Sequence, residues 1–153
     1  MPFITSLGNS GMIWIALALI LMLIPKTRKT GFVVAVSLIL EVICCNLILK
    51  PFVGRIRPCD VNPAIQLLIP RPTDYSFPSG HAGASFAATA ALFGQKSRLW
   101  IPSLILSLLI GFSRLYLYVH YPSDVLVGAL LGTMLGLLAS ALVHYAVRKK
   151  QNS

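Results

Sequence analysis

Three short segments carry side chains suited to handling a phosphate group: KPFVGRIRP from Lys50 to Pro58, FPSGH from Phe77 to His81, and SRLYLYVHYPSD from Ser113 to Asp124. A phosphoryl group in transfer needs its equatorial oxygens held and its developing charge stabilised. Guanidinium groups do this as bidentate forks, and a lysine adds a compact point charge. Lys50, Arg57 and Arg114 are the candidates for such a cradle. The Ser79-Gly80 turn before a helix adds backbone N–H groups near Ser79, Gly80 and His81, together with the field of a helix start. A histidine beside this cradle can attack phosphorus and form a phosphohistidine, and we assign that role to His120. Its second ring nitrogen then needs an acceptor, which Asp124 supplies from four residues further on. His81 titrates near the working pH and is the candidate to protonate the leaving oxygen and later to activate water. With no cysteine set or carboxylate cluster spaced for a metal, the fixed cations are expected to stand in for a divalent ion, and no cofactor is expected.

The elements that must position these groups are apolar. Of the 153 residues 56% are hydrophobic and 11% charged, the latter well under the roughly 25% usual in a soluble domain. Five apolar runs, near 4–24, 31–49, 80–95, 99–118 and 124–147, approach the ~20 residues a helix needs to cross hydrocarbon. The third is short. The last contains GALLGTMLG, whose small residues allow close helix approach in lipid. We therefore expect an all-α polytopic bundle of about five spans, forming a single domain over 1–153. Residues 1–25 carry no charged side chain, so they lack the basic region of a cleavable signal and read as a mature span.

Charge sets the orientation. Lys26, Arg28 and Lys29, then Lys96 and Arg98, then Arg148, Lys149 and Lys150 fall at one end of the five runs. The positive-inside rule makes that end cytoplasmic. The three phosphate-handling segments then share the outward end. The net charge of +9 is thereby divided between loop ends and motifs, and a nucleic-acid partner is not expected.

The three segments together resemble the type 2 phosphatidic acid phosphatase superfamily. Its signature is Lys, six residues, Arg-Pro; then Pro-Ser-Gly-His; then Ser-Arg, five residues, His, three residues, Asp. Here the matching positions are Lys50, Arg57 and Pro58; Pro78, Ser79, Gly80 and His81; Ser113, Arg114, His120 and Asp124. The likeness extends to the opening LGNSG and the basic KTRKTG turn. By this resemblance His120 is the nucleophile, Asp124 its partner, His81 the acid and base, and Lys50, Arg57, Ser79, Gly80 and Arg114 the phosphate binders. Many membrane members form six-helix bundles, so the resemblance implies an element before Met1 or a reduced N-terminal segment. It also implies a lipid phosphatase of a bacterial inner membrane, working on the outward face. The expected substrate is undecaprenyl diphosphate; phosphatidylglycerophosphate or phosphatidic acid is the alternative, and a catalytically silent lipid-binding protein the reading from another class. The partners implied are the lipid phosphate and the bilayer; no protein partner is indicated.

Other residues admit two roles. Arg55 and Arg71 are either contacts to a second phosphate or head group, or exposed loop cations. Asp124 can cap the last helix as well as orient His120. Asp60 and Asp74 read as loop-capping or loop-pairing groups, and Tyr116, Tyr118 and Tyr121 as interfacial aromatics. Glu41 lies near the middle of the second run, where an ionised carboxylate is costly unless protonated or paired; a helix–helix hydrogen bond is the structural reading, with lipid selection or proton access as the other. Cys44 and Cys45 read as packing residues, and Cys59 as a lone loop thiol.

Overall fold

In a computed structural model, the backbone is described for residues 1–151 and side chains through Lys149. The Lys150 side chain and the last two residues of the expected domain lie outside that range. Helices α1 (Pro2–Leu7), α2 (Met12–Leu23), α3 (Arg28–Glu41), α4 (Lys50–Val53), α5 (Pro58–Val61), α6 (Gly80–Gly94), α7 (Trp100–Tyr116) and α8 (Pro122–Gln151) follow one another with no strand among the described residues. The protein is an all-α helix bundle.

Two features depart from five uninterrupted rods. The first run is broken between α1 and α2, where Ser10 and Gly11 take positive φ values of 51° and 67° across a 3-10 turn. Glycine reaches this left-handed region at little cost, and the kink folds α1 back across the end of the bundle. The second run does not stop at Glu41: it continues through a π-helical stretch, Val42–Leu49, into α4. Wider π turns change which residues share a face, and here Glu41, Asn46 and Lys50 line one cavity. Among the described residues, two stretches, Arg28–Val61 and Pro122–Lys149, are by length and hydropathy long enough to cross a membrane, while Asn9–Leu23 and Trp100–Tyr116 are shorter apolar helices. The expected count of five spans is therefore not met by helix length.

Helix α6 is the central post. Its sequence, GHAGASFAATAALFG, is nearly all small, and most of it is buried. Helix α8 lies against it through the glycines seen in the sequence. A Cβ at Gly132 would lie 2.2 Å from the Gly83 carbonyl oxygen, and one at Gly136 2.3 Å from that of Ala87, so the two backbones touch. Larger side chains fill the other seam, where Trp14, Val33, Val34, Leu92 and Ile110 form the core between α2, α3, α6 and α7. Polar side chains cross this core in pairs: Trp14 Nε1 donates to Ser85 Oγ at 3.0 Å, and Thr89 and Ser107 hydroxyls bond at 2.9 Å. Such bonds join helices where lipid offers no hydrophobic drive for association. Glu41 is not joined in this way. It is buried against Gly83, its Oε1 has no hydrogen-bond partner, and its carboxyl hydrogen-bonds Cys45 of its own run, in place of the helix–helix hydrogen bond expected.

Candidate active site

Chain direction brings the three motif segments to one end of the bundle: the exit of the π stretch, the start of α6, the end of α7 and the start of α8. They surround a cavity of about 470 Å³ lined by Lys50, Arg57, Arg71, Asp74, Gly80, His81, Arg114 and His120, with Thr5 and Asn9 from the N-terminal segment. Four cations and one acid face this space.

His120 sits in the turn between α7 and α8 and is 4% exposed. Its Nε2 lies 3.0 Å from Arg57 Nη1. An arginine has no acceptor, so Nε2 must carry the lone pair, which leaves the proton on Nδ1. That nitrogen faces Asp124 Oδ2 and Ser76 Oγ, each at 3.5 Å. This is the tautomer needed for attack through Nε2. Burial pushes the His120 imidazole down to about 4; Asp124 pulls the other way, and Arg57 and Arg114 add to the downward push. The ring is therefore neutral across the physiological range.

Asp124 is completely buried in the first turn of α8. Its Oδ2 accepts from Ser76 Oγ and from the Tyr121 N–H at 2.9 Å. It thus caps α8 and faces His120 at the same time. Ser79 caps α6, its Oγ accepting from Ala82 N at 3.5 Å, while its own N–H donates to the Asp124 carbonyl at 3.0 Å. That N–H is thereby committed, leaving those of Gly80 and His81 as the helix-start donors without intrahelical partners. Gly80 has no room for a side chain, since a Cβ would come within 2.9 Å of Asn46 Oδ1.

The two arginines of the cradle differ. Arg57 spends all five of its N–H groups inside the protein: on the Asp74 carbonyl and carboxylate, on the carbonyls of Tyr75 and Val119, and on His120. Arg114 donates to Thr5 Oγ1 at 2.6 Å, but its buried Nε has no partner. Lys50 is paired with Asp74. Burial alone would raise the Asp74 carboxyl, yet Lys50 and Arg57 outweigh it and hold the group at about 2. Asp74 was expected to cap or pair within its loop, and it does pair within the 50–79 connection, bridging Lys50 and Arg57; nothing in its local sequence announced that those two cations are its partners. His81 Nε2 bonds Asn9 Oδ1 at 3.0 Å, another partner signalled only by the LGNSG segment.

The outlying cations separate. Arg71 lines the cavity and is tied to Asp60 at 2.8 Å and to the Cys59 carbonyl at 2.7 Å. Arg55, expected either as a contact to a second phosphate or head group or as an exposed loop cation, does not line it; Nη1 is 2.7 Å from Asp124 Oδ1, which draws the guanidinium behind the His120–Asp124 pair. Among the described residues no group of three or more His, Cys, Asp or Glu is placed to hold a metal ion.

Comparison with known proteins identifies a family and a shared fold. Residues 29–148 match the model of the PAP2 superfamily. An undecaprenyl-diphosphatase of Sulfolobus acidocaldarius is 36% identical over 141 residues, covering 91% of this chain and 67% of that protein. The crystal structure of a transmembrane PAP2 type phosphatidylglycerolphosphate phosphatase from Bacillus subtilis superposes with a TM-score of 0.70 at 29% identity, covering 97% of this chain and 75% of that one. That of Aquifex aeolicus LpxE gives 0.71 at 26% identity, covering 90% and 82%.

Proposed function

Since the chain belongs to the PAP2 superfamily and is a polytopic membrane lipid phosphatase of that family, we propose that it converts undecaprenyl diphosphate to undecaprenyl phosphate and inorganic phosphate on the outward face of the inner membrane. The observation that carries the chemistry is the His120 tautomer: a lone pair on Nε2, held at a cavity with four cations. Nε2 attacks the terminal phosphorus, the bond from phosphorus to the bridging oxygen breaks, and the electron pair leaves on the lipid phosphate, which His81 protonates. The imidazolium so formed keeps its Nδ1 proton toward Asp124. Water, giving a proton to His81, then attacks phosphorus; the N–P bond breaks and phosphate is released. Lys50, Arg57, Arg114 and the N–H groups of Gly80 and His81 hold the equatorial oxygens.

The diphosphate is favoured by the relative named for it and by the surplus of cations, with Arg71 at the rim. The outward face follows from the basic loops at the opposite end of the bundle. The likeness to the phosphatidylglycerolphosphate phosphatase structure favours a second reading, the same steps on a phosphoglycerolipid. Phosphate release by the purified protein in lipid–detergent mixtures, compared across undecaprenyl diphosphate, phosphatidylglycerophosphate and phosphatidic acid, tests both. We expect the diphosphate to turn over fastest, with His120→Ala inactive and an acid-labile phosphoenzyme trapped by alkaline quench only in the wild type. No turnover of the diphosphate sinks the first reading, and an active His120→Ala sinks the mechanism.

A further inference from the structure

We infer that Arg55 is a positioning residue for the reaction, acting on His120 through Asp124; the inference rests on His120 being the nucleophile. Gly54, with φ at 61°, ends α4 and turns the chain, and Arg55 and Arg57 leave the same short extended segment. They reach opposite ends of one hydrogen-bonded unit. Arg57 donates to His120 Nε2 at 3.0 Å, whereas Arg55 donates to Asp124 Oδ1 at 2.7 Å.

The carboxylate of Asp124 is thereby divided between two tasks. Its Oδ2 takes Ser76, the Tyr121 N–H and the side of His120 that bears the proton. Without Arg55 its Oδ1 would be a buried, charged acceptor with no donor, which is costly and leaves the carboxylate free to rotate. Arg55 is itself fixed on three sides: by Asp124, by Ser123 Oγ at 2.8 Å, and by the Tyr121 ring, whose centroid lies 4.0 Å from its guanidinium carbon. Planar contact with an aromatic face and a charged hydrogen bond are things a guanidinium does well. When Nε2 takes the phosphoryl group, the positive ring needs Asp124 in one orientation, and Arg55 supplies that orientation from behind. It touches neither the ring nor the cavity, so its effect belongs to the chemical step and not to substrate binding.

The test is Arg55→Ala and Arg55→Lys in the full chain, read as kcat and KM on a lipid diphosphate and on a lipid monophosphate, with inhibition by inorganic phosphate measured in parallel. Loss of an outer partner of this kind costs about 10- to 100-fold in activity. We expect that loss in kcat for Arg55→Ala on both lipids, with KM and phosphate inhibition within about twofold and part of the rate restored by lysine. A raised KM with kcat intact, a loss confined to the diphosphate, or wild-type kinetics would each overturn the inference. Should Arg55→Ala fail to fold, Ser123→Ala removes one of its anchors and is expected to lower kcat in the same direction by a smaller factor; no change in kcat there would count against the proposal. His120→Ala separates the two levels: activity in that variant removes the nucleophile assignment itself, whereas an inactive His120→Ala beside a normal Arg55→Ala removes only the role of Arg55.

Discussion

On the wall of the cavity built by residues 50 to 76, every donor of Arg57 already has a partner and Lys50 is paired with Asp74, whereas on the opposite wall Arg114 donates to Thr5 and keeps a buried Nε without one. The same residue type, named by the same kind of motif, is prepared in two ways. If Arg114 binds phosphate as proposed, a bond gained by its unpartnered Nε would remove the penalty of a buried unsatisfied group. Phosphate arriving at Arg57 must exchange for something already there, and Asp74 and the His120 lone pair are the partners that face the cavity. One wall therefore binds by addition and the other by replacement. On the proposed mechanism the replacement would have a use: a donor leaving Nε2 for a phosphate oxygen would uncover the lone pair of His120.

The strongest way to break this comparison is at Arg114. Lysine there keeps the charge but not the fork, and loss of one preorganised donor costs about 100- to 1,000-fold in rate; steady-state kinetics of Arg114→Lys near the wild-type value would show that the unpartnered Nε is not waiting for substrate. The second wall is probed through Asp74→Asn, which removes the charge that competes for Lys50 and Arg57. A charged hydrogen bond is worth about 1.5–3 kcal/mol, so we expect inorganic phosphate to inhibit this variant about tenfold more strongly. Weaker inhibition would mean that Asp74 aligns the cations and does not compete with the ligand. The smallest effect concerns pH. Because His120 is held near 4 in the folded protein, the lone pair persists as pH falls through the ordinary histidine range. The contribution of His120 to kcat/KM should decline only as pH falls through about 4. An acid limb assigned to His120 near 6.5 would show that Arg57, Arg114 and burial do not set its protonation.

The side chains proposed to do chemistry stood out because their spacing is tied to helix ends. Lys50 lies beyond one apolar run, Ser79 and Gly80 precede another, and His120 and Asp124 bracket the entry to the last. A loop partner has no such anchor. Asp74 meets Arg57 across seventeen positions and Arg55 meets Asp124 across sixty-nine, and no local pattern reports either meeting. Arg55 and Arg71 looked equivalent as loop cations, yet one went behind Asp124 and the other to the rim, a choice made by the Gly54 turn and by Asp60. The four later runs agree closely with the helices, and the course of the backbone within the first two was missed for a different reason. Hydropathy counts apolar residues and does not register the reversal at Ser10 and Gly11 or the π stretch after Glu41. The glycine series of α8 was visible and does what small residues were expected to do.

That seam also governs how the enzyme can fail. His81 rides on α6 and Asp124 on α8, and between them the Ser79 N–H reaches the Asp124 carbonyl at 3.0 Å. Glycine at 132 and 136 lets the two backbones approach this closely, since a Cβ at either would lie within 2.3 Å of a carbonyl oxygen of α6. A slip of one turn would carry the two helix starts about 5.4 Å out of alignment, farther than any of their shared bonds can stretch. A bundle inserted one notch out of register would therefore hold His81 and Asp124 apart, and the proposed chemistry would report on assembly as well as on the site.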